Sequence, residues 1–160
     1  MSTPFRIYRN LELSLVYDIR TALATDWTGV NVVIGYPNLT KTNLPIVSIR
    51  LLNKNRIQKE IGSTSDSGIS QYNIMVDIFA QNEPQRLDLA SYLEDLIVGD
   101  FVYYTHSRPS GGGDNIDRAS AGKIVFSRFL QNSKLDFAED TESYEQHRHI
   151  LNFVCRVVLS

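Results

Sequence analysis

The feature that most constrains the fold is a change of period inside one stretch, "VDIFAQNEPQRLDLASYLEDLI", residues 76–97. Up to this point Tyr72, Ile74, Val76, Ile78 and Ala80 alternate with Gln71, Asn73, Met75, Asp77 and Phe79, the pattern of a strand with one face on a core and the other partly wet. After it the apolar residues recur at helical spacing. Leu87, Ala90, Leu93, Leu96 and Ile97 form the expected buried stripe, with Arg86, Glu94 and Asp95 toward solvent. Between the two patterns Asn82 is placed to cap a helix, and Pro84 sits in the first turn, where no N–H is needed. Gln85 lies three residues after the cap, an approximate capping box, and Gly99 is a suitable stop. A strand that turns directly into a helix over residues 83–98 points to an α+β fold.

The remaining segments fit that class. A helix is expected over about residues 10–26, capped by Asn10, with Leu11, Leu15, Ile19 and Leu23 recurring every fourth residue and Val16 and Ala22 widening the stripe. "VNVVIGYPN" predicts a short strand ending in a turn, and Pro45 opens another over residues 46–52. Residues 53–80 predict a long hairpin whose turn is the polar, Gly-bounded segment 62–68. Its first arm, "NRIQKE" around Ile57, is too polar for a second buried face, so this end is expected to project beyond the body. "DFVYYT" predicts a strand, and "HSRPSGGGDNIDRASAG" a long functional or disordered loop. Two strands, about 123–137 and 147–159, close the chain around the acidic connection "DFAEDTESYEQ". Neither a linker nor a repeat divides the 160 residues. The expected architecture is a single α+β domain over residues 1–160, a mostly antiparallel sheet packed by two helices.

Composition narrows the function classes. Lys and Arg total 16 against 18 Asp and Glu, a formal net charge of -2 that gives no overall attraction to phosphate, so general nucleic-acid binding is not expected. No apolar run approaches the roughly 18–20 residues that span a bilayer, and the N-terminus lacks the apolar region of a signal peptide, which predicts synthesis in the cytosol and no membrane partner. The single cysteine, Cys155, alternates with Leu151, Phe153 and Val157 and is expected in the core, not as a reactive thiol.

Motifs for chemistry fail on inspection. Gly122-Lys123 suggests a phosphate loop, but Asp117 stands where its first glycine belongs and Ile124 where Ser or Thr should hold magnesium. His147 and His149 share a strand face, with His106 conceivable as a third metal ligand, yet histidines beside an acidic turn are more often solvated or salt-bridged. The acids Asp136, Glu139, Asp140, Glu142 and Glu145 do not follow the order of a calcium loop and read as a solvated turn. No nucleophile elbow is present. Catalytic residues, metal and cofactor are all expected to be absent.

"WTGVNVVIGYPN", "LPIVSIRLL", "KEIGSTSDSG", "VDIFAQNEPQRLDLASYLEDLI" and "DFVYYTHS" together resemble the tail-terminator or tail-completion proteins of long-tailed bacteriophages, over about residues 11–105. The resemblance implies a non-enzymatic virion protein, made in the host cytoplasm, that forms a homohexameric ring on the end of the tail tube and stops its polymerisation. One side would meet the tail tube protein and the other a neck or head-completion protein, with genome DNA passing through unbound. Other neck and head-completion proteins of such particles are the alternative, followed by an intracellular binding module. Subunit or tail contacts are expected on the projecting hairpin. There Arg56, Lys59 and Glu60 offer both charge signs, while Ile57 and Ile61 can anchor in a neighbour. Arg108, Gly111, Gly112, Gly113, Asp114 and Arg118 of the Gly-rich loop are candidates for docking the neck or tail.

Overall fold

A computed structural model describes residues 3–40, 43–57, 69–108, 116–135 and 146–160, apart from the side chains of Thr3, Arg56, Ile57 and Ile69. Along the chain run β1 (Thr3–Pro4), α1 (Ile7–Asp26), β2 (Asn31–Ile34), β3 (Ile46–Ile57) and β4 (Ile69–Phe79). They are followed by α2 (Glu83–Val98), β5 (Phe101–Arg108), β6 (Asp117–Lys134) and β7 (Arg148–Leu159). The described strands form one sheet in the order β1-β5-β6-β7-β4-β3-β2. Every pairing is antiparallel except β2 with β3. The chain leaves β2 through Gly35 at a φ of 80°, a conformation that disfavours any side chain. The α+β class and the two helices are as the sequence predicts.

Both helices bury their apolar stripes on one face of the sheet. Leu11, Leu15 and Ile19 of α1 and Leu89, Leu93 and Ile97 of α2 join Ile49, Ile74, Val76, Leu151, Phe153 and Cys155 in a continuous core. The strand-to-helix corner is built largely as its residues dictate: Asn82 Oδ1 accepts from Gln85 N at 2.9 Å, and Pro84 occupies the first turn. Gln85 Oε1 accepts from Gln81 N at 2.8 Å, one residue earlier than a standard capping box would place it. The stripe of α2 corrects the expectation. Leu87 is 53% exposed, whereas Leu89 is fully buried and Arg86, expected in solvent, is 6% exposed. Helical spacing admits both phases. Burial of Arg86 is tolerated because its guanidinium finds partners on two sides, as described below.

The start of α1 is a second correction. The helix begins at Ile7, with Arg6 at the cap and no side-chain capping bond, while Asn10 lies a turn inside it and is buried. Its side chain serves β5. Asn10 Oδ1 accepts from His106 N at 3.0 Å, Ser14 Oγ accepts from Tyr104 N at 2.9 Å, and Asp18 Oδ2 accepts from Val102 N at 3.0 Å. Four helical residues rise about 6 Å and two strand residues about 6.7 Å, so a stripe at i, i+4, i+8 stays nearly in step with alternate groups on a strand edge. Across the apolar stripe, Glu12 Oε1 accepts from Leu51 N at 2.9 Å and Arg20 Nη2 donates to Val32 O at 2.9 Å. Thus α1 bridges the two far edges of a curled sheet and supplies the polar partners that a missing strand would otherwise provide.

The loop expected after "DFVYYT" is mostly strand. β5 runs on to Arg108 and β6 starts at Asp117, with His106 opposite Arg118 and Thr105 opposite Ala119. The segment lacks apolar alternation because β5 is held from α1 and β1 as well as from β6. Gly122, which resembled part of a phosphate loop, lies inside β6, where a Cβ would overlap Val158 O. β6 ends at Lys134, and residues 136 and 137 of the expected strand lie outside the described residues. The outer face of β4 is less wet than its pattern implies: Asp77 and Phe79 are both fully buried. Asp77 accepts from Arg50 at 2.6 Å and Arg148 at 3.1 Å, and Phe79 packs with Leu44 and Ile46.

Candidate functional site

The hairpin is present as a paired ribbon. β3 and β4 are in register from Ile46 opposite Phe79 to Ile57 opposite Ile69, with a bulge between Leu51 and Asn53. β7 accompanies β4 only from Phe79 to Tyr72, so residues 69–71 pair with β3 alone. Leu52, Asn53, Lys54 and Asn55 are exposed along this ribbon. Arg56 and Ile57 are its last described pairs, opposite Ser70 and Ile69. Lys59, Glu60 and Ile61 lie outside the described residues, as do Gly111, Gly112, Gly113 and Asp114.

Antiparallel pairing brings the last described residues of the ribbon and of β5 to one end of the sheet. The start of β4, the end of β7, the start of β6 and the end of β5 are successive neighbours there. Arg108 ends β5 and is exposed. Arg118, the second residue of β6, stacks 3.6 Å from the centre of the Tyr17 ring, with Nε donating to His106 Nε2 at 3.3 Å. His106 Nδ1 faces Asn10 Oδ1 at 3.2 Å. Since Arg118 can only donate, these contacts assign a neutral ring with its proton on Nδ1. Burial, then the Arg118 and Arg9 charges, hold the His106 pKa below its ordinary value. Pro4, His106, Ser107, Asp117 and Arg118 line a shallow cavity of about 250 Å³ here.

The opposite end carries a polar hub that the sequence did not reveal. Arg86 Nη1 donates to His149 Nδ1 at 2.6 Å, and His149 Nε2 donates to Asn132 Oδ1 at 2.7 Å, which puts the proton of this neutral imidazole on Nε2. The His149 pKa is lowered by burial first and by Arg86 second. Glu83 receives Arg86 at 2.5 Å, Lys134 at 3.2 Å and His147 at 3.3 Å, and the Arg86 hydrogen bond leads in lowering its pKa to about 2. The hub ties the first turn of α2 to β6 and to the start of β7. His147 and His149 therefore have partners of their own, and His106 is at the far end; among the described residues no group of three or more His, Cys, Asp or Glu is arranged to hold a metal. Cys155 is fully buried, and burial pushes its thiol up to about 12, so it is a packing residue as expected.

No described helix is long and apolar enough to cross a membrane. No protein-family model matches the chain, and no curated protein matches it.

Proposed function

We propose that this chain is a structural virion protein of a long-tailed bacteriophage that forms a six-membered ring on the end of the tail tube, stops its growth and joins the tail to the neck. The observation that carries this reading is the β3–β4 ribbon, which leaves β7 at Tyr72 and continues as a polar two-stranded arm from a body braced by both helices. Such an arm suits contact with a neighbouring subunit or the tube. The resemblance over residues 11–105 supplies the particle, its partners and the six-fold symmetry. The tail tube protein lies on one side and a neck or head-completion protein on the other, with genome passing through the lumen. A closed ring needs two different surfaces per subunit, each of about 800 Å² for a standard interface, and a chain exposing 9511 Å² has room for both.

Native mass spectrometry of the concentrated protein and of isolated tails tests this. Six-fold species in either setting are expected; a strict monomer in both contradicts the ring.

A further inference from the structure

The sheet face turned away from the helices is strongly basic. Strand register places Arg50, Lys123, Arg128, Arg148 and Arg156 on that face, with Asp77 as the acid among them. Arg50 and Arg148 share Asp77, whereas Lys123, Arg128 and Arg156 are exposed and have no ion-pair partner among the described residues. Beside these three cations stand two exposed apolar residues on the same face, Val102 at 37% and Val158 at 45%.

The opposite side of the subunit is acidic. α2 covers β4 and β7 from the helix side, and its outward surface carries Asp88, Glu94 and Asp95, which likewise lack ion pairs among the described residues. Leu87 and Val98 flank those carboxylates, exposed by 53% and 54%. Leu87 is the residue whose spacing predicts burial, and it is left facing out. Each surface thus combines a charged centre with apolar residues, the two carry opposite signs, and they lie on opposite sides of one chain. That is the arrangement a head-to-tail contact requires, because each copy then offers a different patch to each neighbour.

We infer that the ring closes by docking the outward face of α2 in one subunit on the basic outer sheet face of β5, β6 and β7 in the next, with Asp88, Glu94 and Asp95 opposite Lys123, Arg128 and Arg156. This rests on the ring reading above and names the bodies that meet in it; the hairpin arm adds to the contact. An isologous dimer does not fit, since like charges would face one another if either surface met its own copy.

Two variants test it, one carrying Glu94→Lys with Asp95→Lys and the other Arg128→Glu with Arg156→Glu. All four side chains are exposed, so both variants should melt close to the wild type. In sedimentation at low salt each variant alone should associate about tenfold or more weakly than the wild type, and added salt should weaken the wild type too. An equal mixture of the two should assemble again, because the reversed helix of the first fits the reversed sheet face of the second, and the unchanged acidic helix of the second fits the unchanged basic sheet face of the first. Variants that assemble like the wild type, or a mixture that stays dissociated, overturn the interface and leave the ring standing. A wild-type chain that associates neither in concentrated solution nor on isolated tails overturns the ring itself and this contact with it. Short duplex DNA is the third arm. If the wild type binds it tightly and salt-sensitively, the Arg128 and Arg156 variant does not, and the mixture fails to assemble, the basic face serves phosphate backbone and the inference is wrong.

Discussion

Asn10 stands in for a neighbouring strand: its Oδ1 accepts from the backbone N of His106 at 3.0 Å, while its Nδ2 donates to Phe5 O at 3.0 Å. One buried carboxamide therefore satisfies a strand edge and the chain entering the helix. Asn10→Ala should cost about 1–3 kcal/mol by leaving the His106 N–H buried without a partner, and Ser14→Ala a similar amount at Tyr104. Urea denaturation of both variants measures this. Losses near zero would mean that water replaces the side chains and that α1 does not hold the edge.

Asp18, the third member of that stripe, is half-buried, and burial raises its pKa to about 6 from an ordinary 3.8 despite the hydrogen bond from Val102. The folded state therefore holds a proton that the unfolded chain has released, so this group's contribution to stability falls as pH rises from 3.8 to about 6 and is fully lost above. Asp18→Asn keeps an acceptor for Val102 N and cannot titrate. It should melt at least as high as the wild type at neutral pH and lose its advantage near pH 4. An advantage that is independent of pH would contradict the assignment.

His149 behaves in the opposite sense. Its folded pKa lies below the ordinary 6.5, so stability is complete above that value and declines as the pH falls below it, where the unfolded chain takes up the proton first. Arg86→Gln keeps a donor for Nδ1 and removes the adjacent cation. The His149 pKa, followed by NMR of the ring, should move upward, though burial should still hold it under 6.5. No movement would show that Arg86 has no electrostatic part in the hub.

Gly122→Ala should destabilise by about 1–3 kcal/mol, the usual cost of forcing extra volume into a packed site, because the new methyl overlaps Val158 O across the β6–β7 pair. Thermal melting checks it. An unchanged melting temperature would mean that the two strands separate locally at no cost.

The elements that the sequence makes legible are those whose reasons are local. Asn82, Pro84 and Gln85 mark the corner because caps and first turns depend on neighbours within a few residues. Asn10 misleads for the opposite reason: the same side chain suits a helix cap and a strand edge, and only the tertiary position of β5 chooses between them. Leu87 and Arg86 exchange their expected places because spacing fixes a stripe to within one residue, and the Glu83 and His149 partners of Arg86 settle the phase. The start of β6, where Asp117, Arg118, Ala119 and Ser120 follow one another, shows no strand pattern, since its backbone pairs without an alternating apolar face. A net charge of -2 conceals the basic sheet face and the acidic helix face, because a sum over the chain carries no direction.

The most direct test of the ring reading is electron microscopy of particles assembled by a phage genome that lacks this chain. Filled heads and separate tails of uncontrolled length are predicted, with joining restored when the chain is supplied in trans. Joined particles with tails of normal length would contradict the account; tails of normal length beside unstable filled heads would move the chain from the tail end to the head-completion side of the neck.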